Sequence, residues 1–483
     1  MKMLFHRILL RAGLGMNRCR SRHFNSNLAC AGRVLRRGAD CLRRIEFCPF
    51  CVDVPRSQGY CPPGLSGQLQ KSVMTTTQHL SEQRSLAKPP ARILLVIVFS
   101  QFAGTSLWFA SNAVLGDMQQ QWGLAADALG YMTSAVLLGF IAGTLSFAFF
   151  AIADQFSSRM VFFACSLLGA AANLGVYLLA EGLWSLLFLR FVTGFFLAGI
   201  YPVGMKIAAG WFRKDLGKAI GFLIGALVLG TALPHLLKAL GHALPWQTVT
   251  VTVSAVVAAG GLLMYAFVPD GPYLVKGTRF DPKALASVFR SRLFRASAFG
   301  YFGHMWELYA FWAFAPVVLA AYLAGNPMVN LDISFWAFCV IGIGSIGCAG
   351  GGLYSLKHGS ARVAFMQLAS SGLCCLLSPL LFYAPAPVYL AFLLFWGIVV
   401  VGDSPQFSTL NAANAPSHLV GSALTIVNCI GFAISIISVQ LLNYLVTFVD
   451  PSYLFLVLAL GPLYGLISMM PLMRTRASAQ QRA

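Results

Sequence analysis

From Arg92 to Met473 the chain returns repeatedly to apolar runs of about twenty residues, the length an α-helix needs to cross about 30 Å of hydrocarbon. A membrane β-barrel would instead alternate polar and apolar positions over about ten residues. Stretches such as ILLVIVF from Ile93 and VVLAAYLAG from Val317 do not alternate. Composition agrees: 58% of residues are apolar and 10% charged, against roughly 25% charged in soluble domains. The fold class expected is an all-α membrane protein. Twelve transmembrane helices are predicted near 92–116, 126–152, 160–180, 184–209, 217–240, 247–268, 296–322, 332–355, 362–383, 387–411, 418–445 and 452–473.

Loop charges orient these spans. Arg159, then Arg213, Lys214 and Lys218, then Lys276, Arg279, Lys283, Arg290 and Arg292, then Lys357 and Arg362, follow even-numbered spans; Arg474 and Arg476 follow the last. The opposite loops carry Asp117, Asp127, Glu181, Asp332 and Asp450 and no Lys or Arg, and the loop between spans 10 and 11 (NAANAPSH) is the one basic-side loop lacking them. Basic loops stay on the cytoplasmic side. Both termini are therefore expected in the cytoplasm, with the chain in the cell (inner) membrane.

The net charge of +19 reads the same way. Residues 1–92 contribute 16 Lys/Arg and 4 Asp/Glu, the remainder 18 and 11, and no folded basic domain suggests nucleic acid. Residues 1–91 read as a disordered extension, either a transit peptide or untranslated sequence preceding a true start at Met74; the second is preferred. A six-helix bundle (92–268), a polar cytoplasmic linker (269–295), a second bundle (296–474) and a tail (475–483) follow. Cys48-Pro-Phe-Cys51 has half the spacing of a zinc ribbon with no second pair, so no metal and no cofactor is expected. Cys165, Cys339, Cys348, Cys374, Cys375 and Cys429 lie in apolar helices and read as packing residues.

An internal repeat organises the spans. LRFVTGFFLAGIYPVG (189–204) and FLLFWGIVVVGDSPQF (392–407) align at an offset of 203, pairing Gly194 with Gly397, Gly199 with Gly402 and Pro202 with Pro405. Each proline frees a backbone carbonyl, Ala198 or Val401, and the glycines admit a neighbouring helix. Gly217-Lys-Ala-Ile and Gly421-Ser-Ala-Leu open spans 5 and 11 as a second echo. Matching Gly/Pro-interrupted helices in two halves point to a secondary transporter with its site between them.

On these features the region 92–474 resembles the major facilitator superfamily (MFS). Its loop after span 2 reads G-x-L-a-D-r-x-G-r-r; here Asp154 and Arg159 stand at the acidic and final basic positions, while Phe150, Gln155 and Ser157 depart from the pattern. The resemblance implies a cytoplasmic gate, with Asp154 against the N-terminus of span 11. The equivalent loop of the second half, GGGLYSLKHGSAR, lacks the acid. Arg190 with Gly194 resembles the R-x-x-x-G of proton-coupled members. Span 5, GFLIGALVLGTALPHL, lacks the block typical of drug antiporters, and spans 2 and 8 lack the arginines of nitrate carriers. SLWFASNAVL and GHMWELYAFWAF resemble a bacterial subgroup. The family implies that spans 1, 4, 7 and 10 line a central cavity.

Charge within a span is a functional candidate, because insertion disfavours it by roughly 2.5–3.5 kcal/mol. Arg190 (span 4), His304 and Glu307 (span 7) and Asp403 (span 10) are the candidates. Counted at about 1.5 Å per residue, Arg190 and Glu307 come to similar depths. They are expected to face each other, either as a proton-released grip on a substrate anion or as a permanent salt bridge. His304, at i, i+3 from Glu307, is read as a proton relay or as a support for Glu307. Asp403 lies too far along its span to reach Arg190 and reads as an inner gate or second proton site. Tyr201 and Trp108 are the expected cavity walls; Lys206, Lys238 and His235 read as structural. The function expected is a monomeric, proton-coupled secondary transporter of a small solute, an organic anion among the candidates. A non-transporting sensor of the same fold is the alternative, and no H-E-x-x-H, G-x-S-x-G or P-loop motif supports an enzyme.

Overall fold

The computed structural model describes residues 90–212, 216–241, 244–274, 287–416 and 419–480. The N-terminal extension with Met74, Arg213 and Lys214, most of the expected linker, and the last residues of the tail lie outside the described residues.

Among the described residues, eleven helices are long and apolar enough to cross a membrane: Ala128–Phe149, Ser158–Leu179, Leu183–Trp211, Leu216–Leu240, Trp246–Phe267, Arg292–Gly325, Ile333–His358, Ser360–Leu381, Ala386–Asn414, Val420–Leu445 and Pro451–Arg474. These are spans 2 to 12. Span 1, expected as one helix over 92–116, is interrupted. An α-helix over Ala91–Thr105 gives way to irregular backbone, a 3₁₀ turn at Asn112–Val114 and a short helix over Leu115–Trp122. The break begins where the Thr105 and Ser106 hydroxyls donate to the carbonyls of Gln101 and Ala103, offering the backbone an alternative to its own ladder. Several helix starts are local in origin. Ser291, Asp332 and Asp450 cap their helices by accepting from the amides of Phe294, Phe335 and Ser452. Hydrogen bonds from the Ser452 hydroxyl and amide hold the Asp450 carboxyl below its ordinary range.

Spans 1–6 and 7–12 pack as two halves with the same internal pattern. In the first, span 1 meets spans 5 and 6, span 2 meets span 4, and span 3 meets span 6. In the second, span 7 meets spans 11 and 12, span 8 meets span 10, and span 9 meets span 12. The halves join through span 5 on span 8 and span 2 on span 11, two contacts that a pseudo-twofold axis exchanges. Close approach within each half depends on the repeated glycines. A Cβ on Gly194 would collide with the Val136 carbonyl of span 2, and one on Gly397 with the Val340 carbonyl of span 8. Gly199 lies against Cys165 of span 3 and Gly402 against Gln367 of span 9, so corresponding positions meet corresponding spans. Large apolar side chains such as Leu95, Phe149, Leu179, Trp184, Phe188 and Leu380 remain on the periphery, where lipid would meet them.

At the end of the bundle that carries Asp127, Asp332 and Asp450, three hydrogen bonds cross between halves. Asn443 accepts from the Gly130 amide (3.1 Å) and donates to the Asp127 carbonyl (3.0 Å), and Gln440 donates to Ser134 (2.7 Å). The Gly130 amide is in the first turn of its helix, where it has no intrahelical acceptor. Asn443→Ala removes two of these bonds, each worth about 1 kcal/mol net. Amide hydrogen exchange across 130–134 should then quicken by about tenfold or more if this clasp closes the bundle at that end. Unchanged exchange would mean that apolar packing alone holds it shut.

Candidate functional site

The interrupted spans set the site. Span 4 is helical over Leu183–Leu197 and again from Tyr201, with Pro202 in the first turn of the second segment. Span 10 is helical over Ala386–Gly402 and again from Ser404, with Pro405 in the same place. The carbonyl of Val401, four residues before Pro405, takes the thiol of Cys348 at 3.4 Å. Asp403 falls at the break itself and is buried.

Arg190 is fully buried in span 4, and its guanidinium serves the broken part of span 1. One terminal nitrogen donates to the Leu107 carbonyl at 3.0 Å and the other to the Trp108 carbonyl. Arginine suits this because its planar fork can donate to two acceptors at once. Its Nε–H has no acceptor, and among the described residues no carboxylate pairs with it. A positive charge is thus held at the span 1–span 4 contact without a counter-ion among the described residues.

Glu307 is equally buried but turns into the second half. It accepts from Ser371 Oγ (2.6 Å), Trp396 Nε1 (2.7 Å) and Cys375 Sγ (3.4 Å). The expected Arg190–Glu307 pairing is therefore not made. Equal depth along two helices does not set the direction in which each side chain points, and here each finds partners inside its own half. His304 departs from expectation in the same way. Its Nδ1 lies 2.8 Å from Asp403 Oδ1, joining spans 7 and 10, and Glu307 is not its partner. Both groups are about 1% exposed, and His304 Nε2 and Asp403 Oδ2 have no hydrogen-bond partner. Asp403 does not meet Arg190, as its position along span 10 required.

An aromatic cluster occupies the centre and draws on both halves. Trp108 stacks on Phe432 of span 11 (5.7 Å between centroids, 27°) and packs on Phe140 of span 2 (4.9 Å) and Tyr309 of span 7 (5.8 Å). Tyr309 continues to Trp312 (5.5 Å), and Phe140 reaches Tyr201 (6.5 Å). Both indoles are fully buried, and neither Nε1 has an acceptor. Toward the end that carries Arg159, Asp154 forms an ion pair with Lys206, which also donates to the Ala153 carbonyl. Lys206 is thus tied to the loop motif. Arg159 lies over the ring of Tyr265 at 5.6 Å. Residues 417 and 418, which precede span 11, lie outside the described residues. At the opposite end Lys238 pairs with Asp117. His235 is buried, with Nε2 unpartnered.

Sequence reasoning missed Ser371 and Cys375 as partners of Glu307. The signal was there, since a polar side chain and a thiol at i, i+4 in span 9 share a helix face. It also missed Phe140, Phe432 and Asn443, whose roles come from the meeting of spans 2 and 11. Gln101 in span 1, fully buried with both amide atoms unpartnered and packed on Gly204, carried no distinguishing pattern.

Two halves related by exchange symmetry, with charges buried on spans 4, 7 and 10, define a multi-pass helical membrane protein built from a repeated unit. The sequence pattern of the Major Facilitator Superfamily matches residues 94–439, and the chain belongs to that family. An uncharacterized transporter, YgaY, of Escherichia coli O157:H7 is 26% identical over 243 residues, covering 47% of this chain and 59% of that protein. The D-galactonate transporter of Escherichia coli O6:H1 is 28% identical over 196 residues, covering 40% and 45%. The chain thus spans about half the length of these relatives. Among solved structures, the human organic anion transporter MFSD10 superposes with a TM-score of 0.59 at 14% identity, over 79% of this chain and all of that one. The proton:xylose symporter XylE gives 0.61 at 13%, over 78% and 95%. At such identities the likeness is one of fold.

Proposed function

We propose that the chain is a monomeric proton-coupled carrier that moves a small organic anion by alternating access. The carrying observation is the division of buried charge. The first half holds Arg190 without a counter-ion; the second holds Glu307 and the His304–Asp403 pair without a Lys or Arg partner among the described residues. Burial of an ionised carboxylate with no cation beside it is costly, so such a group takes up a proton instead. For Glu307, three donors favour the anion and burial opposes it, and a change in access to water tips that balance. A proton taken by the second half and an anion drawn toward the first cross together with no net charge. Movement of MFSD10 and XylE substrates is described for those proteins as organic anion transport and proton:xylose symport; both properties are compatible with this charge set.

Basic loops on one side support placing that side, and both termini, in the cytoplasm of a cell whose inner membrane holds the chain. In that orientation the Asp127–Asn443 clasp closes the outer end, and Asp154, Lys206 and Arg159 lie at the inner gate. The test is uptake into proteoliposomes. With the outside one pH unit more acid, coupling of one proton per solute should accumulate an organic anion about tenfold, and a protonophore should abolish this. Uptake of the same anion that ignores the gradient would remove the proton from the scheme.

A further inference from the structure

The geometry points to a substrate with a flat apolar body and a single carboxylate, such as an arylacetate, held between Trp108 and Trp312 at the aromatic centre. This rests on the anion reading above and narrows it. Three N–H groups on spans 1, 7 and 4 have no acceptor: Nε1 of Trp108, Nε1 of Trp312 and Nε of Arg190. All three side chains are fully buried. They are linked through contacts already described, Arg190 to the Trp108 carbonyl, Trp108 to Tyr309, and Tyr309 to Trp312. Buried N–H groups are nearly always paired, so three orphans on side chains joined by these contacts call for an acceptor from outside the chain. An indole N–H and a cationic N–H can only donate. A carboxylate can only accept, and its two oxygens offer about four sites.

The remaining walls select the body of the ligand. Phe140, Phe432 and the faces of Trp108 and Tyr309 present π surface from both halves, with rings 4.5–5.8 Å apart between centroids. In the stack of Trp108 on Phe432, a planar ligand would take the place of one ring as the halves separate. A polyhydroxylated acid is disfavoured by the same chemistry. Each hydroxyl brings a donor as well as an acceptor, and donors are what this centre already has in excess.

Calorimetric titration of the purified protein with phenylacetate, hexanoate, D-gluconate and benzyl alcohol tests the assignment without any gradient. Phenylacetate should bind most tightly, hexanoate next, and gluconate and benzyl alcohol at least about tenfold more weakly. Trp312→Phe keeps an aromatic ring and removes the donor, and should weaken phenylacetate about tenfold. Trp108→Phe should do the same, and a melting curve on each variant shows that it is folded. Gluconate binding as well as phenylacetate overturns the assignment, as does indifference to Trp312→Phe or a panel in which nothing binds. Failure of the coupling proposal is distinguishable: phenylacetate binding without pH-driven uptake removes the proton and leaves this site. pH-driven uptake of gluconate with no phenylacetate binding removes this site and leaves the proton.

Discussion

Glu307→Gln should leave a folded carrier that exchanges its solute at equilibrium and no longer accumulates it against a gradient. Glutamine keeps the shape of the side chain and can keep its bonds. The Trp396 indole can still donate to a carbonyl oxygen, and the Ser371 hydroxyl can rotate to accept from the new NH₂. What is lost is the titratable site. Accumulation driven by one pH unit should fall from about tenfold to about unity, while counterflow of labelled solute stays within about twofold of wild type. The measurement compares the two assays in the same vesicles. Other ionisable groups lie within electrostatic reach: Asp403, itself paired with His304, and the thiols of Cys374 and Cys375. If accumulation survives in Glu307→Gln and is lost in Asp403→Asn, the proton belongs to the span 7–span 10 pair instead.

Arg190→Ala should destabilise the protein severely. The substitution strips the Leu107 and Trp108 carbonyls of their charged donor where no water can reach, leaving Leu107 only a long turn bond (3.5 Å) from the Ala110 amide. Two hydrogen bonds to a charged group are worth about 3–6 kcal/mol together, comparable with the loss on breaking a buried charge pair. Arg190→Lys retains the charge and presents it from a single nitrogen, so it should recover part of the deficit. Melting temperature and solute affinity measured on both variants separate two roles. If the guanidinium served the solute alone, the alanine variant would melt normally and show only a raised KM. The expectation here is a large fall in melting temperature, with Arg190→Lys intermediate, because the side chain pins the break that presents Trp108 to the centre.

Much of the architecture was legible in the residues themselves. Spans 2 to 12 follow from runs of apolar side chains long enough to cross hydrocarbon, and the starts at Ser291, Asp332 and Asp450 follow from capping side chains. The paired breaks in spans 4 and 10 follow from Pro202 and Pro405 at equal spacing from their glycines. These are local properties, set by neighbours within a turn or two of helix. The break in span 1 was not foreseen, because no proline marks it and two of its carbonyls, Leu107 and Trp108, take their charged donor from Arg190, about eighty residues later.

The charged residues were recognisable as candidates for the same local reason, that each stands alone in an apolar run. Their partners were not. A rise per residue gives the height of Arg190 and of Glu307, and the heights agree. The rotation of each helix about its axis, and the crossing that glycines such as Gly194 and Gly397 allow, decide what a side chain at that height meets. The residues alone specified a multi-span helical membrane protein with a duplicated, interrupted helix and charged candidates at Arg190, His304, Glu307 and Asp403. Tertiary structure alone turned Arg190 to the backbone of span 1, Glu307 to Ser371 and Trp396, and Asp403 to His304. Burial in hydrocarbon is non-directional and so can be read from composition, whereas a hydrogen bond needs its partner at one distance and angle.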